Sequence, residues 1–211
     1  VEEELFITWI VSPTVIFGRH QVMEAEVNVD FCRANGIAMY RRKSGGGCVY
    51  ADEGNLMMSM ISPNKHSEVV FQQFLDKISD VLRHWGLPAV KSEHNDIMVE
   101  GKKVSGNACY ALSTGTIVHG TMLVDVDLDM LQQAITPSKE KLAKHGVKSV
   151  RQRVANLARL VTNPQLRTST LVANRLSDAL CLYQRELTEQ EIATIDRIEQ
   201  SYLDPQFIVG K

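Results

Sequence analysis

The chain has 211 residues, a formal net charge of -2 and four cysteines. That length can bury a sizeable core without disulfide or metal, and the near-neutral balance excludes a strongly basic nucleic-acid binder. Cys32, Cys48, Cys109 and Cys181 form no CxxC pair, which speaks against a zinc site or disulfide framework. No apolar run approaches a membrane span and no signal peptide opens the chain, so we expect a cytoplasmic protein with free thiols, and neither nucleic acid nor membrane as partner.

Residues 6–11 and 14–17 read as strands around Ser12-Pro13. Residues 38–42 lead into Ser44-Gly45-Gly46-Gly47. Segments 47–50 and 56–61 read as two more strands, joined by a turn through Asp52-Glu53-Gly54-Asn55. Ser67 is a candidate cap for a helix running to Trp85. Val70, Phe71, Phe74, Leu75, Ile78, Val81, Leu82 and Trp85 share one face of it, and Gly86 and Pro88 end it. Segments 96–99, 103–110 and 116–124 then form an antiparallel meander, with turns at Glu100-Gly101 and Ser113-Thr114-Gly115. Beyond Leu128 the pattern is helical, over 128–134, 139–144, 149–160, 169–183 and 189–202. Strands first, helices later and one helix between predict an α+β domain, with helices covering one face of a largely antiparallel sheet.

Three stretches carry chemistry. Ser44 to Gly47 can present successive N–H groups as a concave anion site, and Arg41, Arg42 and Lys43 add charge beside it. The plainer alternative is a tight turn with a solvated basic flank. The run is neither a P-loop nor a GxGxxG opening a helix. Strand follows it through Cys48, Val49 and Tyr50, so a nucleotide would lie on a sheet surface.

The second stretch is Asn95-Asp96-Ile97 with Gly101-Lys102-Lys103-Val104-Ser105-Gly106. If Glu100-Gly101 is a two-residue turn, Met98 opposes Lys103, Ile97 opposes Val104 and Asp96 opposes Ser105. Opposed residues share a face. Asp96, Met98, Lys103 and Ser105 then point one way and the aliphatic set points to the core, which selects Lys103 over Lys102 as the functional lysine. An ordinary surface ion pair is the alternative.

The third stretch is His119-Gly120-Thr121, where the histidine is either structural or functional. Lys139, Lys141, Lys144, Lys148, Arg151 and Arg153, with Asn156, form a basic patch that reads as a solvated helix face, a docking surface or a lid over a triphosphate. His20, His66, His84 and His94 lack metal-ligand spacing. Cys48, beside the glycines, is either a nucleophile in an electropositive pocket or a small buried strand residue.

In this order the motifs resemble the lipoate–protein ligases of the biotin/lipoate ligase superfamily. Pro13-Thr14-Val15, Gly18-Arg19-His20-Gln21, Asp52-Glu53-Gly54-Asn55 and Ser149 to Leu157 extend the likeness to about residues 12–161. The resemblance implies the class II aminoacyl-tRNA synthetase/biotin ligase fold, in a single catalytic domain over 1–211. That domain would lack the C-terminal accessory domain of many relatives and their N-terminal strand and helix. It implies ATP, Mg²⁺ and lipoate, a lipoyl-AMP intermediate, and transfer to a lysine of a lipoyl carrier domain, in 2-oxoacid dehydrogenase complexes or the glycine-cleavage H protein. A separate accessory domain is a further implied partner.

On matching positions, Arg42, Ser44, Gly45, Gly46, Gly47, Cys48, Val49, Tyr50, Asn95, Ser105, Gly106, His119 and Thr121 would line the ATP and lipoate site. Lys103 would contact the acyl carboxylate and α-phosphate. Asp96 would orient the acceptor lysine, take its proton or help hold Mg²⁺. Ala51 stands where the family commonly has histidine. The alternatives are a lipoyl or octanoyl transferase with a cysteine nucleophile, or a lipoate-binding module without ligase activity. The stretch between Thr121 and Leu180 holds no cysteine, which counts against the transferase.

Overall fold

The structure, a computed structural model, describes residues 2–135 and 150–210. Its main sheet joins β1 (Leu5–Trp9), β5 (Asn55–Ser62), β9 (Gly115–Leu123), β8 (Lys102–Leu112), β7 (Asp96–Val99) and β6 (Ala89–Lys91) in that spatial order. Every neighbouring pair is antiparallel. A small second sheet sets β2 (Thr14–Phe17) between β3 (Ala38–Arg41) and β4 (Val49–Ala51). Here β2 runs parallel to β3 and antiparallel to β4. Between β2 and β3 lie two short helices, α1 (Met23–Glu26) and α2 (Val29–Ala34). Their brevity hid them from a periodicity reading, although Asn28 caps α2 by accepting from the Phe31 N–H.

Helix α3 (Ser67–His84) buries Val70, Phe71, Phe74, Leu75, Ile78, Val81 and Leu82, the stripe expected from sequence. That stripe packs on Leu56, Met58, Met60, Val104, Val118 and Met122 of the main sheet. His66, not Ser67, occupies the N-cap position. Gly86 ends the helix at φ 86°, a left-handed conformation that glycine adopts without strain. Helix α4 (Leu128–Ala134) follows the main sheet.

The helix expected over 149–160 is interrupted. Among its described residues α5 (Val150–Arg153) is α-helical and Leu157–Arg159 forms one 3-10 turn, and between them Val154 pairs in parallel with Lys103. Asn156 explains the break: its amide donates to Val126 O (2.8 Å) and accepts from Val126 N (3.1 Å), so the chain lies strand-like against that segment. The expected helix at 139–144 lies outside the described residues.

Helix α6 (Ser169–Leu180) buries Val172 and Leu176 in the same core as α3. Helices α7 (Glu189–Leu203) and α8 (Pro205–Val209) close the chain. A second core cluster, with Val15, Phe17, Cys32, Tyr50, Leu131 and Val154, forms around the small sheet and α4. Strand alternation turns Gly106, Ala108, His119 and Thr121 away from α3.

Candidate active site

The glycine run rests on that second face of the main sheet. A Cβ built on Gly46 would lie 3.6 Å from Ala108 Cβ, and Ser44 Oγ meets His119 Nε2 at 2.6 Å. Gly46 has φ 93°, where other residues are strained. Gly18, at the end of β2, is equally constrained by space, since its Cβ would lie 2.2 Å from the carbonyl oxygen of Gly46.

The three cations beside the run have separate jobs. Arg42 donates to the carbonyls of Gly45 (2.7 Å), Gly47 (2.7 Å) and Ile16 (3.1 Å). In a trans peptide the N–H points opposite the carbonyl. The N–H groups of Gly46 and Cys48 are therefore turned away from Arg42, so this cation organises the donors. Arg41 is 5 % exposed, packs on the Phe17 ring, and donates to Arg19 O, Gln21 O, Phe207 O and Ile208 O. Lys43 lies over the Tyr202 ring and reaches Ser201 Oγ. Two of the three cations are thus engaged with the C-terminal helices.

The lysine hairpin differs from the simple ladder in one respect. Met98 opposes Lys103 as expected, but the register slips between Ile97 and Met98, so Ile97 opposes Ser105 and Asp96 opposes Gly106. The extra residue is Val104. This bulge lets both Val104 and Ser105 face inward, and both are fully buried. The expectation that Ser105 shares a face with Lys103 is corrected: it lies beside Ile97 and Met122 and donates to Asn107 Oδ1 (3.1 Å). Gly106 takes its place. A Cβ there would stand 2.5 Å from Lys103 Nζ, so glycine makes room for the ammonium. A glycine inside a strand is itself a sign of a bulge or close approach, and could have suggested this shift.

Lys103 Nζ lies 2.8 Å from Asp96 Oδ1, and the other carboxylate oxygen accepts from Arg153. Asp96 is almost entirely buried. Both carboxylate oxygens are engaged by cations, as a buried charge requires. Sequence placed Arg153 in a basic patch and in the family-like stretch 149–157, with no link to Asp96. Of that patch, residues 139–148 lie outside the described residues. Gly106 and Ala108 are two positions apart on β8, about 7 Å along a strand, so the lysine and the glycine run flank one short stretch of sheet.

Other expected site residues take supporting places. Thr121 opposes Gly106 and is buried. Asn95, at φ 65°, offers its backbone carbonyl to Asn107 Nδ2 (3.0 Å). Val49 is half-buried on β4, and Cys48 packs against the second core cluster. Tyr50 is built into that core, and burial, then the Asp52 carboxylate, pushes its phenol above the usual range. Ala51 is fully buried and opposes Thr14. Among the described residues no cluster of three His, Cys, Asp or Glu side chains is placed to hold a metal. A cavity of about 560 Å³ opens between β1, α3 and residues 180–187, and none of the expected site residues lines it.

Burial, then the Arg42 charge, pushes His119 down from 6.5 to about 4, so it is neutral at physiological pH. Between those values the unfolded chain binds a proton that the folded chain refuses. Stability is therefore expected to fall as pH drops from 6.5 and to level off near 4, by about 2 kcal/mol after allowing for partial exposure. Urea unfolding at pH 7.5 and 4.5 measures the loss. His119→Gln, which keeps a partner for Ser44, should shrink the difference. An unchanged difference would mean His119 does not titrate this way.

An ammonium held beside a donor loop on an open sheet face suits two anions brought together in a phosphoryl or acyl transfer. The chain belongs to the lipoyl protein ligase A/B catalytic-domain family, whose model matches residues 1–180. Lipoate-protein ligase LplJ of Bacillus subtilis is 33% identical over an alignment of 206 positions that covers 94% of this chain and 62% of that relative. A solved lipoate-protein ligase A bound with ATP superposes with a TM-score of 0.83 at 28% identity, covering 99% of this chain and 87% of that one. A bi-partite lipoate protein ligase from Thermoplasma acidophilum, studied with its E2 lipoyl domain, gives 0.83 at 30% identity, with coverage of 99% and 85%. Among the described residues no helix is long and apolar enough to cross a membrane.

Proposed function

We propose that this chain is the catalytic domain of an ATP-dependent lipoate–protein ligase. The observation that carries the reading is the Lys103 ammonium, seated over Gly106 and tied to Asp96, beside the glycine run on the same sheet face. In the first step a lipoate carboxylate oxygen attacks the α-phosphorus of ATP, and pyrophosphate leaves. The carboxylate is already ionised, so no base is needed. Alignment and charge neutralisation are needed. Lys103 bridges the acyl carboxylate and the α-phosphate, and the N–H groups of Gly46 and Cys48 receive phosphate oxygens. In the second step the neutral amine of a carrier lysine attacks the acyl carbon, AMP departs with the electron pair of the acyl C–O bond, and the amine proton passes to solvent or the departing phosphate.

Asp96, with a cation on each oxygen, orients Lys103 in this reading. Asp96 would not hold Mg²⁺, since a divalent ion there would have to displace a cation; Mg²⁺ carried on the ATP phosphates would add charge neutralisation to that of Lys103. The acceptors are lipoyl carrier domains of 2-oxoacid dehydrogenases or the glycine-cleavage H protein, in keeping with the E2 lipoyl domain of the Thermoplasma system. The thiols of Cys32, Cys109 and Cys181 are pushed up by burial, which disfavours those three as nucleophiles of an acyl transferase. They also suit a reducing, cytoplasmic setting.

Lipoate-dependent exchange of labelled pyrophosphate into ATP tests the reading. No exchange while lipoate still binds would favour a binding-only module. Gly106→Ala should leave the melting midpoint within a few degrees, because only the mobile tip of Lys103 must yield. It should still lower exchange roughly tenfold by moving the ammonium. A Gly106→Ala protein with wild-type exchange would remove the close approach from the mechanism.

A further inference from the structure

Arg153 makes no appearance in the two chemical steps, yet it ends on the carboxylate that holds Lys103. Asp96 carries one negative charge and faces two cations. The side chains of Lys103 and Arg153 are each 22% exposed, and that of Asp96 is 6% exposed. Taken by themselves, these three side chains sum to one net positive charge, largely out of water.

The backbone places Arg153 there for a reason. Val154, its neighbour, pairs in parallel with Lys103, and the Ala155 N–H donates to the Lys103 carbonyl at 3.0 Å. The segment after α5 thus lies along β8 at the lysine itself. The bulge next to Lys103 brings Asp96 opposite Gly106, within reach of both cations.

We infer that Arg153 is a positioning residue, which takes a share of the Asp96 carboxylate so that Lys103 can leave it for the substrate anions. This rests on the ligase reading above. With Lys103 alone, Asp96 would form a closed neutral pair. An arriving carboxylate or phosphate would have to compete with a buried partner that had no other cation. With Arg153 present, the carboxylate stays compensated when the ammonium moves. The surplus charge is then available where negative charge gathers. Arg suits the task because its guanidinium stays charged under all conditions and holds a carboxylate in a fixed geometry.

Two readouts test this on Arg153→Gln, Arg153→Lys and Asp96→Asn: the rate at which acetic anhydride labels Lys103, followed by mass spectrometry, and lipoate-dependent pyrophosphate exchange. Arg153→Gln should slow labelling several-fold, because Asp96 then holds Lys103 unshared. Arg153→Lys should return it to within about twofold of wild type, and Asp96→Asn should exceed wild type. Exchange should fall about tenfold in Arg153→Gln and recover in Arg153→Lys.

Unchanged or faster labelling in Arg153→Gln overturns the inference, as does a loss of exchange that Arg153→Lys fails to restore. A fall in exchange without slower labelling would mean that Arg153 serves the substrate or the backbone directly, and also overturns it. If labelling responds as described while wild type shows no exchange, the ligase reading fails and the charge sharing stands. If Arg153→Gln does not fold, Arg153→Met, which also removes the charge but keeps an unbranched stem, takes its place, with the same slower labelling expected and the same unchanged labelling overturning the inference.

Discussion

Lys103→Ala is expected to reduce lipoate-dependent pyrophosphate exchange by two to three orders of magnitude, since removing one contact to charge that develops in a transition state costs about 3–4 kcal/mol. The protein should stay folded. Asp96 keeps Arg153 when Lys103 is gone, so no buried carboxylate is stranded. Asp96→Ala makes the informative contrast. It leaves two cations facing each other around a vacated site and should lower stability where Lys103→Ala does not. Exchange assays with thermal melts on both variants measure this. Near-normal exchange by Lys103→Ala would dismiss the lysine from the chemistry, whatever its geometry.

The second large effect is expected at Gly18, which holds no substrate in any reading of the site. Its missing Cβ is where the Gly46 carbonyl sits, and both partners in that collision are backbone. Gly18→Ala must therefore push the glycine run off β2. Displacement of the run would carry Ser44 away from His119 and break the Arg42 contacts to Gly45 and Gly47. Exchange should fall at least tenfold, with the apparent affinity for ATP weakened along with the rate, because misplacement of donors near 1 Å costs about that much or more. Kinetics against ATP concentration checks the result. A variant with unaltered KM for ATP would mean that the glycine run does not carry the phosphates.

Much of the fold was readable because alternation and helical periodicity are strong where one face is buried. The stripe of α3 and the β7–β9 meander are the clearest cases, and the shared face of Asp96 and Lys103 followed from the hairpin turn. The position of Ser105 did not, because a bulge changes the face of every later residue while leaving the local pattern plausible. The helix proposed over 149–160 failed for a related reason. Val154 and Leu157 keep a helical spacing, but Asn156 supplies side-chain partners that hold a Val126 backbone group on either side.

Arginine roles were the least legible part. Arg41 and Arg42 are adjacent and chemically identical, and alternation alone sends them to opposite faces. What each meets there depends on segments far away in the chain. The same holds for Arg153, whose partner Asp96 lies 57 residues earlier. The family likeness pointed to these stretches, and the distances show which of their side chains meet.

Arg41 binds the Phe207 carbonyl through Nε across 166 residues of sequence and, through Nη1, the carbonyls that follow β2. Lifting α8 would take away several acceptors from one nearly buried guanidinium at once, and the cost would be borne at the root of the glycine run. Amide exchange at 207–210 should therefore quicken whenever the run loosens, which makes the tail of the chain a reporter of order at its centre.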